Sequence, residues 1–126
     1  MKKLIFLVED DSAIADIYRT IMEKSNLNVE IFGLGQDIIK VLKSIKAGER
    51  EKPDIILLDL ILPDMNGIDV LKEIKSNEES KSIKVFILTN QGEVKFDQTD
   101  LRPDKVIIKA NITPTQLVET IKKELK

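Results

Sequence analysis

Residues 4–8 (LIFLV), 55–58 (IILL) and 85–88 (VFIL) are runs in which every side chain is apolar. A strand with one wet face alternates apolar and polar residues, whereas a run with no polar position must be covered on both faces. Shorter strand-like segments at 29–32 and 106–108 complete a series that begins afresh about every 25 residues. Between them lie apolar stripes at helical spacing. They are Ile14, Ile17, Tyr18, Ile21 and Met22; Ile38, Val41, Leu42 and Ile45; Ile68, Leu71 and Ile74; and Leu117, Val118, Ile121 and Leu125. This alternation predicts an α/β fold, a doubly wound five-stranded parallel sheet with helices on both faces.

Local signals mark several boundaries. Asp11 or Ser12 can cap the first helix. Gly33 and Gly35 break the chain after the second strand, and the second helix ends near Gly48. The last helix opens on Thr113 as cap, Pro114 in the first turn and Gln116 at the capping-box position. Between Asn90 and Asp104 only Val94, Phe96 and Leu101 are strongly apolar, so a helical stripe there is weak.

At 126 residues the chain suits a single domain, 1–126, with no linker, repeat or low-complexity segment. A composition 42% hydrophobic and 33% charged excludes a disordered tail. Folding at this size buries roughly two-thirds of the unfolded surface, so neither a disulfide nor a structural metal is required. The absence of cysteine fits a reducing compartment. The apolar run before Glu9 is too short for a signal peptide, and nothing approaches the ~18 apolar residues of a membrane span. These features lead us to expect a cytoplasmic protein without membrane contact. Net charge is −2 and the lysines are scattered, so no basic face for nucleic acid is visible. The chain has no histidine, which excludes imidazole acid–base chemistry, histidine metal ligands and a phosphohistidine of its own.

In open α/β sheets the site lies beyond the carboxyl ends of the strands, near the point where the strand order reverses. The residues just past the strands are Glu9, Asp10 and Asp11 after the first, Asp59 after the third, Thr89 after the fourth and Lys109 after the fifth. Crowded carboxylates repel, and a hard divalent cation with oxygen ligands relieves that repulsion. Mg²⁺ suits a site with few carboxylates, several waters and shared phosphate oxygens. A carboxylate beside it can attack phosphorus to give an acyl phosphate, with a hydroxyl and an ammonium stabilising charge on the transferred oxygens. Taken singly, these residues have ordinary readings as an acidic helix start, a turn residue, a cap and a surface lysine. Their joint occurrence at every strand end points to chemistry.

The segments 4–11 (LIFLVEDD), 53–60 (PDIILLDL), 62–67 (LPDMNG) and 86–89 (FILT), with Lys109, resemble the response-regulator receiver domain of two-component signalling, over essentially the whole chain. The resemblance implies a flavodoxin-like strand order 2-1-3-4-5. It implies that Asp59 is the phosphoacceptor, charged in a phosphorelay from the phosphohistidine of a histidine kinase or phosphotransfer protein. Asp10 and Asp59 would ligate Mg²⁺ directly with the Ile61 carbonyl, Glu9 would act through water, and Thr89 and Lys109 would contact the phosphoryl group. Such a protein is a signalling component and not an enzyme, catalysing only its own phosphorylation and dephosphorylation. The chain ends at Lys126 directly after this region. We therefore expect a stand-alone, chemotaxis-type receiver without an output domain, a monomer or weak dimer acting on an unidentified downstream protein.

Three positions depart from the family pattern: Ala110 where proline usually follows the lysine, Asn90 where a small residue follows the threonine, and Val106 where an aromatic ring is usual. Without proline the Lys109–Ala110 bond is expected to be trans. With β-branched Val106, a muted response to phosphorylation is expected on the surface of the fourth unit, fifth strand and final helix. Two other classes fit poorly. An FMN binder needs phosphate-cradling amides where Glu9-Asp10-Asp11 stands, and a haloacid-dehalogenase-like phosphatase would carry aspartate at Ile61. The stronger alternative is a phosphorylation-independent receiver-like interaction module.

Overall fold

The computed structural model describes residues 2–90 and 102–126; the weak stripe of Val94, Phe96 and Leu101 lies outside them. The described elements are β1 (Lys3–Val8), α1 (Ser12–Lys24), β2 (Leu27–Phe32), α2 (Gly35–Lys46), β3 (Ile55–Leu58), α3 (Gly67–Ser76), β4 (Lys84–Thr89), β5 (Lys105–Ile108) and α4 (Pro114–Glu124). The strands form one sheet in the order β2-β1-β3-β4-β5, and every pairing is parallel. This is the expected doubly wound sheet.

The apolar runs are buried because consecutive side chains enter different cores. Phe6, Val8, Ile56, Leu58, Val85 and Ile87 pack with Ile38, Leu42 and Ile45 of α2 and Val70, Leu71 and Ile74 of α3. Ile5, Leu7, Ile55, Leu57, Phe86 and Leu88 pack with Ala15, Tyr18 and Met22 of α1 and Leu117, Val118 and Ile121 of α4. A slip of one residue would exchange these sets, so two filled cores pin the register. Helix starts follow local chemistry. The Asp11 carboxylate, not Ser12, accepts the Ala13 and Ile14 amides, and Thr113 and Gln116 form the expected capping box.

Three sequence expectations are corrected. β2 begins at Leu27, two residues before the expected 29–32, because Asn26 adopts a left-handed φ of 68° and delivers Leu27 into register with Lys3. Ile17 is 53% exposed; the buried stripe of α1 runs through Ala15, Tyr18 and Met22 instead. Gly35 opens α2 and does not break the chain. Its missing side chain leaves room for Met65, whose Cγ and Sδ occupy the space a Cβ would need. No described peptide bond is cis, so Lys109–Ala110 is trans and the chain leaves β5 through a single 3-10 turn, Lys109–Asn111.

Candidate functional site

The strand order reverses between β1 and β3, which lie side by side at the middle of the sheet. Both strands continue their ladder by one bond beyond their last residue: Glu9 N–H donates to Phe32 O at 2.9 Å and Asp59 N–H to Val8 O at 3.1 Å. The backbones of the two acidic residues are therefore fixed before their side chains do anything. Glu9, Asp10 and Asp59 bring carboxylate oxygens within 4.8 Å of one another. Asp11, the fourth expected carboxylate, is occupied in capping α1.

Lys109 reaches this cluster from the end of β5. Its Nζ donates to Glu9 Oε1 at 2.8 Å and to Asp59 Oδ2 at 3.0 Å. The Asp59 Oδ1 atom accepts the Ile61 N–H at 3.2 Å. Thr89 ends β4 fully buried, in register with Ile108 and so next to the lysine-bearing turn. The structure thus unites Glu9, Asp10, Asp59 and Lys109, sets Thr89 at the adjoining strand end and ties Ile61 to Asp59 through its amide.

One ammonium does not balance this site. Burial above all, then hydrogen bonding with Asp59, pushes the Glu9 carboxyl up to about 7 despite the pull of Lys109. Burial also disfavours the Lys109 charge, but its bonds to Glu9 and Asp59 outweigh that and raise its pKa. Glu9 Oε2 is buried and has no hydrogen-bond partner among the described residues. A buried carboxylate oxygen without a donor is costly unless a cation or proton meets it. The donor set is all oxygen, acidic and open on the Asp10 side, where the side chain is exposed. These features fit a hard divalent cation such as Mg²⁺.

The family model for the response regulator receiver domain matches residues 5–122. The chain belongs to this family. Receiver domains serve as phosphoacceptor signalling domains of two-component systems, as the resemblance implied. The chain is 39% identical over 88 residues to the regulatory protein LuxO of Vibrio cholerae, a match covering 70% of the chain and 18% of LuxO. It is 37% identical over 90 residues to response regulator Rcp1 of Synechocystis, covering 69% of the chain and 61% of Rcp1. The chain therefore spans under a fifth of LuxO and less than two-thirds of Rcp1. A crystal structure of the Mn²⁺-bound form of Rcp1 superposes with a TM-score of 0.79 at 28% identity, over 96% of this chain and 92% of that one. Among the described residues of this receiver, no helix is long and apolar enough to cross a membrane.

Two features around the receiver site were not evident in the sequence. Tyr18 belongs to the core as expected, yet it also lines a shallow groove with Asn90, Lys109 and Ala110, and burial raises its phenol pKa. Asp64, which the sequence shows only as part of the 62–67 motif, makes two long-range hydrogen bonds to the start of α2. Neither has a local signature, because each depends on which element lies opposite.

Proposed function

We propose that this receiver accepts a phosphoryl group on Asp59 from the phosphohistidine of a histidine kinase or phosphotransfer protein. The observation that carries this reading is the bonded set Glu9–Lys109–Asp59, with the buried Glu9 Oε2 left without a partner among the described residues. An Asp59 oxygen attacks phosphorus, the P–N bond to the donor imidazole breaks with its electron pair returning to nitrogen, and an acyl phosphate results. Glu9, Asp10, Asp59 and the Ile61 carbonyl would hold Mg²⁺, which supplies charge neutralisation for the phosphoryl oxygens. That Rcp1 has been crystallised with Mn²⁺ supports this choice of a hard cation. Lys109 keeps its proton and follows the charge from the carboxylates to the transferred group. The Thr89 hydroxyl donates to a phosphoryl oxygen. The protein works on itself rather than on a separate substrate, in the cytoplasm, and its output is contact with another protein.

The test is intact-mass measurement after incubation with Mg²⁺ and acetyl phosphate. Wild type should gain one phosphoryl group, lost on hydroxylamine treatment, and Asp59→Asn should gain none. An equal adduct on Asp59→Asn, or no adduct on wild type, overturns the reading and favours a phosphorylation-independent interaction module.

A further inference from the structure

The loop that follows Asp59 is fastened at both ends. Near the phosphoacceptor, the Ile61 N–H donates to Asp59 Oδ1 at 3.2 Å, Gly67 N–H donates to Leu60 O at 2.8 Å, and Ile61 and Asn66 form an antiparallel bridge. A Cβ on Gly67 would collide with the Asp59 carbonyl oxygen, so the closed loop lies directly on the backbone of the phosphoacceptor.

At the tip, Asp64 reaches back to a different layer of the fold. Its Oδ1 accepts the Gly35 N–H at 2.8 Å and its Oδ2 accepts the Gln36 N–H at 2.9 Å. These are among the first amides of α2, which no carbonyl within the helix can satisfy. The residue at the usual capping position, Leu34, makes no side-chain bond to them. Asp64 therefore caps α2 from outside the helix, with both oxygens engaged. The amides of Gln36 and Gly35 hold its carboxyl below the usual carboxylate range, and the Met65 side chain fills the space over Gly35.

We infer that Asp64 is a positioning residue: by latching the loop tip to α2, it holds the Ile61 N–H on the Asp59 carboxylate and so sets the orientation of the group that is phosphorylated. The consequence for phosphorylation rests on the function proposed above; the latch itself does not. Freed at the tip, the closed loop can rock about its attachment to Leu60 and Gly67, and the 3.2 Å bond from Ile61 is the first to suffer.

The experiment compares wild type with Asp64→Ala and with Asp64→Asn, which keeps an oxygen for one of the two amides. Amide hydrogen exchange is read by NMR in metal-free protein at Ile61 and at the core positions Ile56 and Phe86. Relative to the core amides, Ile61 exchange should quicken about tenfold in Asp64→Ala and less in Asp64→Asn. Phosphorylation by acetyl phosphate at saturating Mg²⁺ should slow in the same order. Unchanged relative exchange at Ile61 in either folded variant overturns the latch, and the Asn variant carries the comparison if the Ala variant does not fold. A wild type that takes no phosphoryl group would overturn the proposed function instead, and the exchange measurement would still decide the latch.

Discussion

Asp54 and Leu4 exchange two hydrogen bonds: the Leu4 N–H donates to Asp54 Oδ2 at 2.8 Å, and the Asp54 N–H donates to Leu4 O at 2.8 Å. Asp104 makes the same pair with Val85, its Oδ2 accepting the Val85 N–H at 2.8 Å and its N–H donating to Val85 O at 2.8 Å. Each aspartate follows a proline and directly precedes a strand, β3 or β5. Pro-Asp thus acts twice as a starting clamp, with the side chain supplying the acceptor that the neighbouring strand needs before the regular ladder begins.

Replacing Asp54 by alanine leaves the partly buried Leu4 amide without its acceptor. The expected loss is about 1–2 kcal/mol of unfolding free energy, measured by urea titration, with Asp54→Asn intermediate. No loss in the alanine variant would mean that water replaces the carboxylate freely at this sheet end.

The electrostatics of the site give opposite expectations for two of its residues. Asp10→Asn removes a repelling charge and, under the proposed function, a ligand, so Mg²⁺ binding should weaken strongly while the metal-free protein loses no stability. Lys109→Met removes the ammonium that bridges Glu9 and Asp59. The metal-free variant should lose about 1–3 kcal/mol, below the usual cost of breaking a buried pair because Glu9 can take up a proton. Mg²⁺ should then raise the Tm of Lys109→Met by more than it raises that of wild type. An equal rise would separate the lysine from the cation site.

The raised pKa of Glu9 has a defined consequence in metal-free protein. With its carboxyl at about 7 when folded and near 4.5 otherwise, the native state holds a proton in that interval that the unfolded chain releases. The linked stability is fully present below the unfolded value and is lost as pH rises through the folded one. Between about pH 5 and pH 8, wild type in EDTA should therefore lose unfolding free energy relative to Glu9→Gln. Urea midpoints of both proteins check this; a relative gain in wild type would reverse the assignment.

Val106 lies on β5 with 45% of its surface exposed. Its branched side chain has few rotamers on a strand, so it offers no second packing for a phosphorylated state to select. On addition of Mg²⁺ and beryllofluoride, NMR shifts should concentrate around Asp59, Thr89 and Lys109. Large coherent shifts through Val106 and α4 would show that the switch survives without an aromatic ring.

The sequence by itself determined the order of the five strands, the burial of β1, β3 and β4 on both faces, and the capping box at Thr113; for the first helix it left Asp11 and Ser12 as alternatives. Periodicity and capping are short-range, and each is written within a few consecutive residues. It also singled out Asp59 and Lys109, because a strand end is a place the chain itself marks. The shorter reading of β2 arose from Asn28, an exposed polar position near the start of an edge strand. Gly35 read as a break because glycine is a poor helix residue; only Met65, thirty residues on, explains its place. The clamps of Asp54 and Asp104, the latch of Asp64 and the placement of Lys109 on both Glu9 and Asp59 were decided by tertiary structure alone. Each joins residues far apart in the chain, 100 positions apart for Lys109 and Glu9. A hydrogen bond is specified by the position of both partners, and the sequence places only one of them at a time.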